Sequence, residues 1–267
     1  MTFDELKNIS DETARISAVY EIFDENARLN HSKAARVEFL TTVRLVEKYL
    51  PEGGKILDIG AGAGEYSLYF AKKGFNVTAV ELADANINAF KEKLTPSLGR
   101  NLNLMRGNAC DLSAFADESF DIVLLLGPLY HLSKSADRER CINEAKRVCK
   151  PDGMIFFAFI SNDMVILTEM CYSPSYLTSG DYNHDTFKLE DFPFVFFTVD
   201  RAREMLAGCG VKIISEVASD GVSELLAEKI NAMDDETYSQ YLKYHYYCSE
   251  KPEMLGRSNH LLFVGKK

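Results

Sequence analysis

Three glycines at alternate positions, Gly60, Gly62 and Gly64, form the part of the sequence best suited to holding a ligand. They follow an apolar run at 56–59, which is typical of a buried parallel strand, and they precede a helical pattern. Glycine has no side chain, so a ligand at such a strand–turn–helix junction can lie directly against the backbone. Asp58 adds a carboxylate near the end of the strand. The pattern therefore predicts a ligand-binding turn.

The spacing of the glycines separates two ligand classes that use such a turn, dinucleotides and S-adenosylmethionine. A dinucleotide turn has the pattern G-x-G-x-x-G and rests its pyrophosphate on a bare helix N-terminus. The third glycine of that pattern would fall at Glu65 counting from Gly60, and at Ser67 counting from Gly62. A carboxylate at Glu65 repels a pyrophosphate, whereas it suits a ligand with a sulfonium and an ammonium group. The spacing favours S-adenosylmethionine over a nicotinamide cofactor.

A second carboxylate, Glu81, stands near the end of the next predicted strand, 17 residues after Gly64. An acid at that place can accept hydrogen bonds from two ribose hydroxyls. The turn Gly107-Asn108-Ala109 follows the third predicted strand. With the glycine turn, these residues make the chain resemble the class I S-adenosylmethionine-dependent methyltransferases, most closely over 32–160. The family usually has Asp at the Asn108 position, and Asn108 still offers a side-chain oxygen to the adenine amino group.

The resemblance implies S-adenosylmethionine as the cofactor and S-adenosylhomocysteine as the product, with no metal site. Arg36, on a predicted N-terminal helix, is the residue expected to pair the cofactor carboxylate bidentately. Glu38 and Thr41 are polar neighbours on that helix, for which a solvated helix face is the other interpretation. The residues expected to contact the cofactor are Arg36, Asp58, Gly60, Ala61, Gly62, Gly64, Glu81, Leu82, Asn108, Ala109, Leu126 and Gly127.

Tyr130 and His131 follow the fourth predicted strand, next to where the resemblance places the methyl group. Methyl transfer from a sulfonium requires alignment and the exclusion of water, and it requires a base only when the nucleophile is protonated. His131 is therefore a candidate general base, and Tyr130 is a candidate hydroxyl for positioning the acceptor. The structural alternative is that His131 caps a turn and Tyr130 packs on the cofactor.

The segment Gly127-Pro128-Leu129-Tyr130 bears on the acceptor. It lacks the Asp/Asn-Pro-Pro-aromatic signature of enzymes that methylate adenine or glutamine amides, and it lacks the Pro-Cys pair of cytosine C5 chemistry. The net charge of −10 and the pI near 5.1 argue against a nucleic-acid substrate, which needs a basic face. We expect a small-molecule acceptor. An NAD(P)-dependent oxidoreductase and a non-catalytic S-adenosylmethionine-binding regulator remain as alternatives.

Targeting and redox signals are few. The first residues are neither basic nor followed by an apolar run, and no apolar stretch approaches the ~20 residues that span a membrane. The six cysteines form no C-x-x-C pair, which favours reduced, buried thiols, with a thiol-rich site for a soft metalloid as the minor alternative. We expect a cytoplasmic protein without membrane contact, and a homodimer is left open.

The segments that position these residues alternate along the chain between short apolar runs, typical of strands, and stretches with helical periodicity. This alternation predicts an α/β fold with a parallel, doubly wound sheet. The resemblance implies the mostly parallel seven-stranded sheet of the Rossmann-like methyltransferase fold, in which the seventh strand runs antiparallel. Two helical stretches, 3–29 and 31–50, make an N-terminal helical lid at 1–50, and the α/β domain occupies 51–267.

Two long connections interrupt the last strands of the predicted sheet. Residues 161–197 show no sustained period, whereas 218–259 look helical, and connections of this length usually serve a function. We interpret both as cap insertions. Tyr238, Tyr241 and Tyr244 fall on one helical ridge, and we expect this ridge and the 161–197 segment to roof the acceptor pocket.

Overall fold

The computed structural model describes residues 3–23 and 25–267, so Met1, Thr2 and Asp24 of the expected lid lie outside the described residues. The strands are β1 Lys55–Ile59, β2 Asn76–Glu81, β3 Leu102–Arg106, β4 Phe120–Leu125, β5 Cys149–Ser161, β6 Tyr182–Asn183, β7 Lys188–Leu189, β8 Phe196–Phe197, β9 Lys212–Ala218 and β10 His260–Lys266. The helices are α1 Phe3–Leu6, α2 Glu12–Val19, α3 Glu25–Arg28, α4 Lys33–Tyr49, α5 Glu65–Lys72, α6 Asp84–Lys93, α7 Pro128–His131, α8 Ser135–Val148, α9 Asn162–Tyr172, α10 Tyr176–Ser179, α11 Val199–Gly208, α12 Ala227–Asn231, α13 Asp235–Ser249 and α14 Pro252–Leu255.

Seven strands form the main sheet in the order β3-β2-β1-β4-β5-β10-β9. The first five run parallel, and β10 pairs antiparallel with both β5 and β9. The short strand β8 adds to the sheet beside the end of β5. The predicted α/β class and mostly parallel sheet are confirmed, and β8 is a small addition to the expected seven strands.

Alternate residues of the central strands enter two separate cores. Leu57 of β1 and Val123 of β4 pack on one face with the apolar sides of α8 and α11, whereas Ile56 and Ile122 pack on the other face with α4 and α5. These strands are apolar on both sides because both faces of a parallel sheet are covered by helices. Each large apolar side chain buried in this way stabilises the fold by roughly 1.5–3 kcal/mol relative to its exposed state.

Because β1, β2 and β4 run parallel, the loops that follow them lie together at the carboxyl ends of the strands, which we call the carboxyl edge of the sheet. This carboxyl edge also receives the first residue of β10, because β10 runs the other way and its His260 lies opposite Ile160 at the end of β5. Ligands of open α/β sheets bind at this edge. Residues far apart in the sequence therefore meet there.

The N-terminal lid differs from the expected pair of long helices. The stretch 3–29 is broken into three short helices, and the next helix begins at Lys33 rather than His31. The side chain of Asp11 accepts from the backbone N–H of Ala14 and caps α2 inside the stretch predicted to be one helix. The side chain of Ser32 accepts from the N–H of Ala35 and sets the start of α4.

The cap segments also differ in detail. Residues 161–197, expected to be irregular, contain the eleven-residue helix α9, capped by the Ser161 hydroxyl, as well as a hairpin of β6 and β7. Within 218–259, expected to be helical, α12 has only five residues and the longer α13 spans Asp235–Ser249. Among the described helices, none is long and apolar enough to cross a membrane.

The turn that joins β1 to α5 makes the first testable prediction. Gly64 has φ +87°, and a Cβ added there would lie 2.5 Å from the buried ring of Phe90. We expect Gly64→Ala to lower the free energy of unfolding by on the order of 2–4 kcal/mol, because backbone strain and overpacking add. Gly53→Ala is the matched control, since Gly53 has φ +67° and a Cβ added there would meet nothing within 4 Å. It should lose only about 1–2 kcal/mol in urea unfolding. Equal losses would contradict the packing argument.

Candidate functional site

Two adjoining cavities lie at the carboxyl edge, on either side of the glycine turn. The Glu81 cavity is lined by Ile16, Tyr20, Gly60, Glu81, Leu82, Gly107, Asn108, Ala109, Gly127, Pro128, His131 and Leu132. The Asp58 cavity is lined by Tyr20, Glu25, Arg28, Leu29, Asp58, Gly60, Ala61, Gly62, Ala63, Glu65, Tyr66, Leu126, Gly127 and Tyr130. Most of the residues expected to contact a cofactor thus line one of two adjoining spaces.

Glu81 stands at the end of β2 and is 4% exposed. Its Oε2 accepts from the N–H of Gly62 at 2.7 Å, and its Oε1 accepts from the N–H groups of Leu82 and Ala83 at 2.9 and 2.8 Å. Burial raises the pKa of this carboxyl, although the three backbone donors act in the opposite direction. A carboxylate held by backbone donors is fixed in place. Three of its roughly four acceptor positions are used, and one on Oε2 remains for a ligand hydroxyl.

Asp58 lies at the other end of the glycine turn and is 1% exposed. Its Oδ2 accepts from the Ser67 hydroxyl at 2.6 Å, which ties β1 to the first turn of α5. Burial raises the pKa of Asp58 to about 6, against the lowering effect of the Ser67 hydrogen bond. Because burial makes this carboxyl group costly to ionise, a cationic ligand group beside it would stabilise the ionised form.

Asn108 lines the Glu81 cavity, and its Oδ1 already accepts from the N–H of Cys110 at 2.9 Å. This is a local turn of the kind that Asn and Asp form with their own backbone. The second Oδ1 lone pair and the amide N–H groups remain for the edge of a ligand. The turn therefore holds Asn108 in the expected place, with part of its acceptor capacity used by the backbone.

Tyr130 and His131 lie in different cavities. His131 lines the Glu81 cavity, where its Nε2 shares a 2.7 Å hydrogen bond with the Tyr20 hydroxyl. Its Nδ1 is buried with no hydrogen-bond partner among the described residues, and burial lowers the pKa of His131 to about 3. Tyr130 lines the Asp58 cavity and donates its hydroxyl to the carbonyl of Leu126 at 2.8 Å. A histidine with so low a pKa is a weak proton acceptor at neutral pH.

The guanidinium in the Asp58 cavity belongs to Arg28, a residue that the sequence pattern did not single out. Arg28 pairs with Glu25 at 2.9 Å and with Glu38 at 2.8 Å. Arg36, the expected partner of the cofactor carboxylate, instead lies over the ring of Phe39 at 4.1 Å and is not among the residues that line either cavity. The local sequence does not indicate that Arg28 rather than Arg36 lines this cavity, because that depends on the break between α3 and α4.

The segment that carries Arg28 lies directly over the glycine turn. A Cβ added at Gly62 would lie 3.1 Å from Cγ of Glu25, and Tyr20 borders both cavities. The Asp58 cavity keeps only about 30 Å³, room for a few waters at most, because these side chains fill it. The segment around Glu25 therefore lies against the glycine turn, and its action as a lid stays a prediction.

A third space, the Asp220 cavity, is larger at about 250 Å³ and shares Arg28 with the Asp58 cavity. It is lined by Arg28, His31, Ser32, Ala34, Ala35, Glu38, Tyr172, Asp220, Ser223, Glu224, Ala227, Asn231 and His260. Both cap segments contribute, through Tyr172 and through 220–231. Sequence reasoning selected neither Asp220 nor His260, because nothing in the local sequence marks them.

The tyrosine ridge of α13 does not line this cavity. Tyr238 donates its hydroxyl to the carbonyl of Lys33, and the Tyr241 hydroxyl bonds to that of Ser223. Tyr244 is 62% exposed. Tyr238 and Tyr241 hold α13 against its neighbours, and the residues that line this cavity come from the segment before α13. That the ridge roofs the acceptor pocket stays a prediction.

Comparison with known proteins identifies a matching family model and several relatives of this chain. Residues 57–157 match the family model described as methyltransferase domain. A putative methyltransferase of Bacillus subtilis, YqeM, is 31% identical over 113 residues, which cover 42% of this chain and 44% of the relative. A ubiquinone biosynthesis O-methyltransferase of Stutzerimonas stutzeri is 31% identical over 111 residues, covering 42% and 46%. The chain thus matches less than half the length of these two curated relatives.

A solved structure shares the fold over almost the whole chain. The [4+2]-cyclase SpnF superposes with a TM-score of 0.62 at 16% identity, covering 96% of each chain. At this identity the likeness shows the fold alone. It also shows that the same architecture is found in a protein named for a different reaction, so the chemistry must be argued from the site.

The hydrogen bond between Tyr20 and His131 gives the prediction of this subsection. Tyr20→Phe removes the hydroxyl that satisfies Nε2 and leaves the buried imidazole poorly paired. We expect a loss of roughly 1–3 kcal/mol in the free energy of unfolding, measured in urea. Tyr244→Phe, at an exposed position, should change stability by less than about 0.5 kcal/mol. A Tyr20→Phe protein as stable as the parent would show that water replaces the hydroxyl.

Proposed function

Residues 57–157 and the fold around them belong to the class I S-adenosylmethionine-dependent methyltransferases, and on that premise we propose that this protein transfers the methyl group of S-adenosylmethionine to a small-molecule acceptor. The observation that carries the proposal is the Glu81 carboxylate, fixed by three backbone donors beside the glycine turn. Such a carboxylate, fixed at the end of β2 with an acceptor position left on Oε2, suits a ribose hydroxyl.

The two cavities divide the cofactor between them in this proposal. The adenosine lies in the Glu81 cavity, with the ribose at Glu81 and the adenine between Leu82 and Ala109, beside Asn108. The methionine part enters the Asp58 cavity, where Asp58 is placed for its ammonium and Arg28 for its carboxylate. For the carboxylate to enter, Arg28 must exchange part of its bonding to Glu25 or Glu38, so the segment over the turn moves when the cofactor binds.

The reaction itself asks little covalent chemistry of the protein. The acceptor attacks the methyl carbon in line with the carbon–sulfur bond, and sulfur leaves as a neutral thioether. The protein must align the nucleophile and exclude water, which the lid segment over the glycine turn supports. Tyr130 remains a proposed wall of the methyl site, and its hydroxyl is held by Leu126. The low pKa of His131 favours a packing role over the base role.

The charge and the cysteines of the chain support a small-molecule acceptor and a reducing location. A net charge of −10 suits a small acceptor better than a nucleic acid. The thiols of Cys141 and Cys149 are buried and free, which fits a reducing, cytoplasmic location. The ionised Glu65 at the N-terminus of α5, paired with Lys93 at 2.6 Å, leaves no bare helix end for the pyrophosphate of a nicotinamide cofactor.

Calorimetric titration tests the cofactor directly. We expect the protein to bind S-adenosylhomocysteine and to show no binding of NAD or NADP. Glu81→Gln should weaken S-adenosylhomocysteine binding by about 10–100-fold, because ribose hydroxyls lose a charged acceptor. Glu52→Gln, on an exposed turn, is the control and should bind as the parent does. Binding of a nicotinamide cofactor in place of S-adenosylhomocysteine would overturn the proposed function.

A further inference from the structure

The Asp220 cavity, at about 250 Å³, is larger than the Glu81 and Asp58 cavities and has no part in holding the cofactor as proposed. Arg28 forms a wall common to it and the Asp58 cavity. Its floor includes His260, which lies opposite the end of β5 at the carboxyl edge. The cavity therefore adjoins the Asp58 cavity, in which the methionine part of the cofactor is proposed to lie.

Inside the cavity, one histidine is held by a buried acid. Oδ2 of Asp220 lies 2.8 Å from Nδ1 of His260, and Oδ1 of Asp220 accepts from the His260 backbone N–H at 3.2 Å and from the Ser258 hydroxyl. Asp220 is 7% exposed and is thus almost fully committed to holding the imidazole. This is the arrangement by which an acid fixes the ring orientation and tautomer of a basic histidine.

A second carboxylate approaches the same ring nitrogen. Oε2 of Glu38 lies 3.4 Å from Nδ1 of His260, while Arg28 holds that same oxygen from the other side at 2.8 Å. Since both carboxylates face Nδ1, Nε2 on the far side of the ring is the nitrogen available to a molecule in the cavity. The residues of three distant segments are thus arranged around one imidazole.

Resting on the proposed methyltransferase function, we propose that the Asp220 cavity is the acceptor site, that the acceptor is an amine, and that Nε2 of His260 takes the proton from it. Glu38 and Asp220 are positioning residues in this proposal, and His260 is the residue that touches the acceptor.

The charge of the cavity selects the amine. Three carboxylates line it, Glu38, Asp220 and Glu224, against the single guanidinium of Arg28. The acids therefore outnumber the fixed cation whether His260 is neutral or protonated. An ammonium group entering this space is attracted in either state, whereas a carboxylate or phosphate acceptor is repelled.

The transfer step conserves protons and electron pairs. The bound ammonium gives one proton to Nε2 of His260, which leaves a lone pair on the amine nitrogen. That pair forms the new nitrogen–carbon bond as the carbon–sulfur bond breaks, and the electrons of the broken bond remain on sulfur. The products are a methylated amine, neutral S-adenosylhomocysteine and a protonated His260 that returns its proton to water.

The surroundings of His260 set the pH at which this step works. Burial lowers the pKa of His260, but Glu38 and then Asp220 outweigh it and raise the pKa to about 9, with Arg28 acting against them. Glu224, His31 and Tyr172 are the other titratable groups that line the cavity. Because the base must be neutral, kcat/KM should rise with pH and bend near pH 9.

A divalent cation is the rival occupant, because ligand atoms of Glu38, Asp220 and His260 all lie within 4.8 Å of one another. These atoms, however, already serve each other: Nδ1 of His260 is bonded to Asp220, and Glu38 is bonded to Arg28. A metal would have to displace a proton and a guanidinium together. The existing contacts therefore favour a proton-transfer site.

The test measures S-adenosylhomocysteine formation with matched probes that share a carbon skeleton: 2-phenylethylamine, 2-phenylethanol and 3-phenylpropanoate, and the propyl equivalents. We expect turnover with the amines alone. His260→Asn keeps a donor for Asp220 but lacks Nε2, and it should lower kcat by about 10²–10⁴-fold while S-adenosylhomocysteine affinity stays within about twofold. His260→Gln is the second variant, used with the same two measurements. His184→Gln, at an exposed position, is the control.

The pH dependence of kcat/KM distinguishes a positioning role of Glu38 from a purely structural one. Glu38→Gln should move the bend in kcat/KM to lower pH, because it removes the carboxylate that most raises the pKa of His260. The His260 variants should lose that bend. Methylation of an alcohol or acid instead, absence of turnover with every amine, full activity of both His260 variants, or loss of activity with EDTA would each overturn this proposal. If S-adenosylhomocysteine binds in those cases, the cofactor proposal stands; if it does not bind, the proposed function itself fails.

Discussion

The carboxylate of Glu81 joins the two loops on which the site depends. Its oxygens accept from Gly62 in the glycine turn after β1 and from the backbone that follows β2. Loops at the end of a parallel sheet have few ladder partners of their own, so one buried acceptor can determine how they lie together. The positive φ of Gly60, Gly62 and Gly64 shapes the turn so that the Gly62 N–H reaches that acceptor. Both cofactor cavities are built around this contact.

Two buried histidines show how the surroundings of an imidazole set its pKa. His131 has the hydroxyl of Tyr20 as its partner and no carboxylate bonded to it among the described residues, so burial lowers its pKa to about 3. His260 is also largely buried, but Glu38 and Asp220 overcome the cost of desolvation and raise its pKa to about 9. A neighbouring opposite charge and a low-dielectric surrounding act in opposite directions on an imidazole. The same residue type therefore has a lowered pKa in one place and a raised pKa in the other.

Arg28 connects the parts of the molecule that must work together. It pairs with Glu25 on its own short helix and with Glu38 on α4, and it borders both the Asp58 and Asp220 cavities. A change in its pairing when a cofactor carboxylate arrives would be felt by Glu38 and so by His260. The fold is shared with a cyclase, and it is arrangements of this kind, rather than the sheet, that distinguish one activity from another.

Local sequence patterns were enough to predict the sheet and the glycine turn, because both rest on short-range rules. Apolar runs such as that of β4 bury on both faces of a parallel sheet, and the spacing of Gly60, Gly62 and Gly64 is read directly from the chain. The same was true of Glu81, whose place follows from the end of a strand. By contrast, the choice of Arg28 over Arg36 depended on helix caps that break the N-terminal segment. The meeting of Glu38, Asp220 and His260 depended on the antiparallel entry of β10 beside β5. Contacts between residues so far apart along the chain leave no local pattern, and only the packed chain brings such residues together.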